Sequence, residues 1–333
     1  MKSAVLMVVF NRPDCTREVF EAVRAARPPR LYITADGPRA SRPAEAARCE
    51  EVREIASAVD WPCEVKTRFL DKNLGCKRGV SSGIDWFFEN EEEGIILEDD
   101  VVPVPSFFVY CDELLERYRN DQRVMHIGGD NPIWRKYTPK ESYFFSKNAL
   151  IWGWATWRRA WKHYDVTIRD WPAWRDEGGL KRLAAGDSAF ERFWRSTFNA
   201  GHRGAHDTWD YQWMFTCWRH NGLCAVPARS QTHNIGFGAD ATHTTEGIPQ
   251  HVIDSYPEAL DLPLIHPSAV ARSSVEIEKL IEQHVWGISP MTAFKRELRS
   301  MPWVGDQLES VRKYFASKKS VAAPASPNPK QQA

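Results

Sequence analysis

The chain lacks most of the features that assign a protein to a class by composition. It has no excess of charge: Lys plus Arg and Asp plus Glu number 44 each. That balance gives no argument for a nucleic-acid partner or a strongly acidic one. It has no apolar run approaching the roughly 20 residues that a membrane-spanning helix needs. Its opening lacks the basic start, long apolar stretch and small-residue cleavage site of a secretion signal, so a cytoplasmic protein is expected. The seven cysteines (15, 49, 63, 76, 111, 217 and 224) are odd in number, scattered and never in a C-x-x-C pair. This argues against a disulfide framework or a zinc site and for reduced thiols. No internal repeat is present.

Apolar residues and tryptophan are abundant. Hydrophobic residues make up 43% of the 333, enough for a substantial core. Of fifteen Trp, ten (152, 154, 157, 161, 171, 174, 194, 209, 213 and 218) crowd into residues 152–218. An aromatic-rich core layer accounts for most of them. A sugar-binding face is the functional alternative, because aromatic rings stack on the apolar faces of pyranoses.

The first 130 residues alternate strand-like and helix-like segments. Strands are expected at Ala4–Phe10, Arg30–Thr34, Cys63–Leu70, Ile95–Leu97 and Val124–Ile127. Helices are expected at Cys15–Ala26, with Asp14 as N-cap, and at Ala44–Val59, Lys77–Asn90 and Ser106–Arg119. This order predicts an α/β fold with a mostly parallel central sheet and helices on both faces. In such sheets ligands bind beyond the carboxyl ends of the strands. Asn11-Arg12, Asp36-Gly37 and Glu98-Asp99-Asp100 each follow a strand, so they are expected to converge on one sheet edge. Further helices are expected near 155–164, 179–186, 188–200, 208–221, 275–284 and 291–315, with a loop at 234–247.

Three adjacent carboxylates at a strand end repel one another unless a cation neutralises them. Oxygen ligands suit Mg²⁺ or Mn²⁺, which bind one or two carboxylates when phosphates complete the shell. Asp100 is the candidate metal ligand; Glu98 and Asp99 are candidates for sugar or ribose hydroxyls. Arg12 and Asp36 could hold a nucleobase by hydrogen bonds. Lys77 and Arg78 open a helix after Gly75, an arrangement that suits a diphosphate. Asp207 and Asp210 lie three apart among aromatics, which would raise a carboxylate toward the range of a general base. Asp210 is the better candidate and Asp207 the alternative, since Asp207 also suits an N-cap. His233, His243 and Gly236-Phe237-Gly238 form a late loop in which a His could be a further metal or phosphate ligand.

With these residues in place, the chain resembles the GT-A class of nucleotide-sugar glycosyltransferases. It looks most like the branch of the N-acetylglucosaminyltransferase I type enzymes and their bacterial relatives. Val8-Val9-Phe10-Asn11-Arg12-Pro13 resembles that family's opening strand, whose Arg contacts the nucleotide. Thr34-Ala35-Asp36-Gly37 resembles the strand end whose Asp contacts uracil. Glu98-Asp99-Asp100 matches the E-D-D form of the D-x-D motif, whose last Asp binds Mn²⁺. Trp209-Asp210 resembles the W-D step of inverting members, although Tyr211 stands where a second Asp is common. Ile151-Trp152-Gly153-Trp154-Ala155-Thr156-Trp157 is similar to the aromatic segment before the acceptor side. Asn234-Ile235-Gly236-Phe237-Gly238 to Thr242-His243-Thr244 is similar to a motif of bacterial relatives.

The resemblance implies a GT-A domain over 1–250, with a nucleotide-sugar half (1–130) and an acceptor half (131–250) that includes Trp152, Trp154 and Trp209. A helical extension (251–315) and a disordered tail (316–333) follow. The implied activity is metal-dependent, inverting transfer from a nucleotide-diphosphate sugar, UDP-linked, to a glycan or lipid-linked saccharide in polysaccharide biosynthesis. His243 is a further candidate metal ligand. A sugar-nucleotide pyrophosphorylase is one alternative, although residues 8–15 contain none of the glycines its N-terminal loop would carry. A catalytically inactive glycan-binding protein is the other. Met291–Lys319 mixes cationic and apolar residues, so a packing helix is expected there, with a peripheral membrane contact at the inner face as the alternative.

Overall fold

The computed structural model describes residues 1–237, 252–253, 255–292 and 294. His243, most of the expected 291–315 helix and the expected disordered tail lie outside the described residues.

Five strands and four helices alternate through the first half. They are β1 (Ala4–Val9), α1 (Pro13–Ala26), β2 (Arg30–Ala35), α2 (Glu45–Ser57), β3 (Glu64–Phe69), α3 (Gly75–Asn90), β4 (Glu93–Glu98), β5 (Val101–Pro103) and α4 (Pro105–Tyr118). Then come β6 (Val124–Gly128), β7 (Tyr143–Ser146) and β8 (Trp154–Trp157). Five helices follow: α5 (Arg158–Trp161), α6 (Trp171–Asp176), α7 (Gly179–Ala184), α8 (Ser188–His202) and α9 (Asp210–Arg219). Strands β9 (Leu223–Pro227) and β10 (Thr232–Asn234) precede helix α10 (Val275–Trp286).

Eight strands form one sheet in the order β3-β2-β1-β4-β8-β6-β9-β7. β3, β2, β1 and β4 run parallel, as do β6 and β9. β8 is antiparallel to both β4 and β6, and β7 is antiparallel to β9. The sheet is therefore mostly parallel, and the α/β class is as expected. Along β1 the side chains alternate: Val5, Met7 and Val9 join one buried cluster, whereas Ala4 and Leu6 join another. The period of two exposes both faces of the strand to apolar partners, which is why helices cover both. α1, α2 and α4 pack on one face, and α3, α8 and α9 supply the core on the other. The outer strand β3 carries Glu64, Lys66 and Arg68, charges that suit a sheet edge.

Two local expectations are corrected. Asp14 is not the N-cap of α1: the helix begins at Pro13, and Asp14 sits in its first turn. Pro needs no N–H partner at that position, which lets the helix start two residues earlier. The helix expected from 155 begins instead as β8, because Trp154–Trp157 is claimed by the gap between β4 and β6.

Most of the crowded tryptophans are core. Trp154, Trp157, Trp161, Trp171, Trp194, Trp209, Trp213 and Trp218 are all buried, while Trp152 and Trp174 are partly exposed. Trp154 stacks between His126 and Trp209 at ring-centroid distances of 5.2 and 5.5 Å.

α10 is fastened by acids rather than by apolar contact alone. Buried Glu278 accepts from Ser146 Oγ at 2.8 Å, Asn148 Nδ2 at 2.8 Å and the Lys147 backbone N–H at 3.1 Å. Glu282 pairs with buried Lys147 at 2.7 Å. No helix among the described residues is long and apolar enough to cross a membrane.

Candidate active site

The parallel register brings the strand-end residues level. Val9 sits opposite Ala35, and Val8 opposite Glu98. Phe10, Asp36 and the acidic triplet consequently leave the sheet side by side, as the alternation predicted. Two cavities open there. One, of about 240 Å³, is lined by residues including Phe10, Arg12, Asp36, Arg39, Glu98, Asp99, Asp100 and Asp207. The other, of about 480 Å³, is lined by Arg12, Glu98, Asp100, Trp152, Asp207, Trp209, Asp210 and Phe237 among others. They share Arg12, Cys76, Glu98, Asp100 and Asp207, so they form one continuous cleft. A larger cavity of about 780 Å³ between α1 and α4 shares none of these residues. Size alone does not make it the site, since it has no comparable convergence of acids from different strands.

Asp100 is paired with Arg12, whose Nη1 donates to Oδ2 at 2.6 Å. The β10–β5 pairing lays the segment after β10 directly on this pair. The Ile235 N–H donates to the Asp100 carbonyl at 2.8 Å. A Cβ at Gly236 would lie 2.0 Å from Asp100 Oδ2 and 2.6 Å from Arg12 Nη1, so only glycine fits without moving them. Asp99 turns toward β1, where its Oδ2 accepts the Phe10 N–H at 2.9 Å. Glu98 faces the cleft. Burial, then the charges of Asp100, Asp99 and Asp210, hold its carboxyl well above the usual range. Burial also raises Asp99 and Asp100, in Asp100 against the pull of Arg12.

Three adjacent carboxylates raised chiefly by burial mark a place where an added cation would be stabilised. The donor set is oxygen only, which fits a hard divalent ion. Among the described residues no group of three or more His, Cys, Asp or Glu is arranged to hold an ion unaided. An ion held by Asp100 would therefore complete its shell with ligand or water oxygens.

Asp36 is engaged by the protein. Its carboxylate accepts the N–H groups of Gly37 (2.9 Å), Leu74 (2.9 and 3.1 Å) and Gly75 (3.1 Å). Burial raises its pKa more than these bonds lower it. Asp207 does not cap α9, whose N-cap is Trp209 with no side-chain cap bond. It accepts the Lys77 N–H at 3.0 Å instead. The two carboxylates thus fill the positive N-terminus of α3, the end expected to receive a diphosphate. Arg78 lines a different cavity, with Tyr164 and Asp165. Neither Lys77 nor Asn11 lines the cleft, and Trp154 is core.

Asp210 opens α9 and lines the wider cavity, where Thr208 Oγ1 donates to its Oδ1. Trp152 lines the same wall, edge-on to Phe237 at 6.0 Å. Cys76 was not anticipated. Its thiol is pushed up by burial and by the charges of Glu98, Asp207 and Asp210, so it stays neutral in the cleft. Asp130 was missed as well. It follows β6 as the acidic triplet follows β4, a signal present in Gly128-Gly129-Asp130 but outweighed by the longer acidic run.

No protein-family model matches this chain, and no curated protein matches it. Two solved structures are similar in part. UDP-glucose pyrophosphorylase in complex with UDP-glucose aligns at 10% identity and a TM-score of 0.31, over 49% of this chain and 79% of that one. Mouse xyloside xylosyltransferase 1 in its apo form aligns at 13% identity and a TM-score of 0.35, over 68% of this chain and 85% of that one. Likeness at this level assigns no activity.

Proposed function

We propose that the protein is a glycosyltransferase that moves a sugar from a nucleotide-diphosphate donor, UDP-linked, to a glycan or lipid-linked saccharide hydroxyl with inversion. The observation that carries this reading is one cleft. It is lined together by Arg12, Glu98, Asp100, Asp210 and Trp152. The narrower end, with Phe10, Asp36 and Arg39, takes the nucleoside, and the wider end takes the reacting sugars. Asp100 would hold Mn²⁺ or Mg²⁺, which supplies charge stabilisation to the departing diphosphate when bound. Arg12, beside Asp100, adds a fixed positive charge at the same place. Asp210 takes the proton of the acceptor hydroxyl as that oxygen attacks the anomeric carbon and the bond to the diphosphate breaks. Its charge reaches Glu98, so the two carboxylates face one ligand space. Asp207 is the weaker candidate for the base, because its carboxylate is committed to α3.

The test is release of nucleoside diphosphate from a panel of UDP-sugars with Mn²⁺, with and without saccharide acceptors. Asp210→Asn should lower turnover by about 10²–10⁴-fold while donor binding persists, the scale of a lost general base. EDTA should abolish turnover. Full activity in Asp210→Asn would remove the base assignment, and full activity in EDTA the metal.

A further inference from the structure

Asp207-Thr208-Trp209 leads into Asp210, the first residue of α9. Asp and Thr ahead of a helix ordinarily cap it, because their side-chain oxygens accept its first free N–H groups. Neither does so here: the N-cap is Trp209, and no side-chain cap bond is made. Both side chains are turned to other partners. Asp207 Oδ1 accepts the Lys77 N–H of α3 at 3.0 Å. Thr208 Oγ1 donates to Oδ1 of Asp210. An ionised carboxylate can only accept, so the hydroxyl is the donor in that bond.

The two contacts act on a short span between fixed ends. Among the described residues, neither Asp207 nor Thr208 makes a backbone–backbone hydrogen bond. Downstream the span is fixed by Trp209, which is buried and stacks on Trp154 at 5.5 Å. Upstream, after α8 ends at His202, Asp207 supplies the tether through α3. Its seat is close: a Cβ at Gly75, where φ is +79°, would lie 2.9 Å from Asp207 Oδ2. The carboxylate of Asp210 needs a tether of its own. Its terminal torsion has no sharp rotamer preference, so the packing of α9 does not fix the plane of the two oxygens. A hydrogen bond to one of them does. Asp207, Thr208 and Asp210 all line the wider cavity, so the tether and the carboxylate face the same space.

We infer that Thr208 is a positioning residue for the general base: its hydroxyl sets the plane of the Asp210 carboxylate, and Asp207 holds Thr208 in place by bridging to α3. The inference rests on the transferase reading above, in which Asp210 takes the proton of the acceptor hydroxyl. That proton passes to Asp210 as the acceptor oxygen bonds to the anomeric carbon and the bond to the diphosphate breaks; Thr208 keeps its own proton throughout. Asp210 meets the reacting atoms, and Asp207 acts through Thr208. Because α3 begins at Gly75, which lines the narrower end of the cleft, the same tether sets the base against the nucleoside end. Alignment of that kind is what a proton transfer between bound groups requires.

Steady-state kinetics on the full chain, with Mn²⁺ and the UDP-sugar and saccharide of the panel above that the wild type turns over, provides the test. Thr208→Val keeps the shape and removes the hydroxyl. It should lower kcat by about 10–100-fold, the scale of a misplaced catalytic group. The donor KM should stay within about twofold of wild type, since the loss falls on the transition state. Thr208→Ser restores the donor and should return kcat to within about threefold of wild type. A residue that only packs against the wall would rank Val above Ser. Asp207→Asn keeps an oxygen for the Lys77 N–H and should stay within about threefold of wild type, whereas Asp207→Ala should fall with Thr208→Val. In an Asp210→Asn background Thr208→Val should cost nothing further, because no carboxylate is left to orient. Full kcat in Thr208→Val beside an impaired Asp210→Asn overturns the inference and leaves the transferase reading standing. Equal impairment of Asp207→Asn and Asp207→Ala also overturns it, since the carboxylate itself would then be at work. A wild type that turns over no nucleotide sugar removes both the inference and the reading it rests on.

Discussion

Replacing Asp130 by Asn should make the protein more stable at neutral pH and leave it little changed in acid. In the folded protein this carboxyl loses its proton near 7, against an ordinary value of 3.8. The folded state therefore binds more protons than the unfolded chain between those two values. The contribution of this group to wild-type stability must fall as pH rises through that window, with the full penalty reached above about pH 7. A displacement of about three pH units, at about 1.36 kcal/mol each, gives roughly 4 kcal/mol. Asn has no proton to lose, so the stability of the variant relative to wild type should climb by about 1.4 kcal/mol per unit from about pH 4 and then flatten. Urea unfolding of both proteins across that range provides the test, because differencing removes most of the titration the two have in common. A stability difference that stays flat within about 0.5 kcal/mol across the window would refute the argument, since mutational effects that small are ordinary background.

Two further outcomes follow from the geometry of the cleft. Gly236→Ala should cost less than about 1 kcal/mol in stability, because the groups it meets are the ends of the Asp100 and Arg12 side chains. It should nevertheless abolish the thermal shift produced by nucleotide sugar with Mn²⁺, because the displaced pair is the proposed phosphate-end anchor; an unchanged shift would separate Gly236 from the site. Asp36→Ala should destabilise the protein by about 1–2 kcal/mol without any ligand, through the lost cap on α3, as measured by urea unfolding. If Asp36 matters only to a ligand, the ligand-free stability will not move.

Much of the first 130 residues was legible because the signals there are local. Short strand-like runs, alternating with amphipathic stretches, specify a parallel sheet with two covered faces. A parallel sheet then aligns every strand end on one edge, so Arg12, Asp36 and Asp100 could be placed together without coordinates. The residues after 130 were harder to read. β8 carries the same aromatic residues as the helix expected there, and short apolar runs fit either structure until a neighbour claims them. Its identity as an antiparallel strand is set by the open edges of β4 and β6, which lie far away in sequence.

The sequence by itself determined which side chains carry charge and which strands carry them to the edge. It could not determine how each carboxylate is spent. Asp36 and Asp207 look like ligand groups until the fold places the N-terminus of α3 against them, where backbone N–H groups take their lone pairs. Asp130 looks like a turn residue until the fold buries it at the end of β6 and leaves Oδ1 without a partner among the described residues. A hydrogen bond depends on distance and direction between residues remote in the chain, and only the tertiary structure sets those.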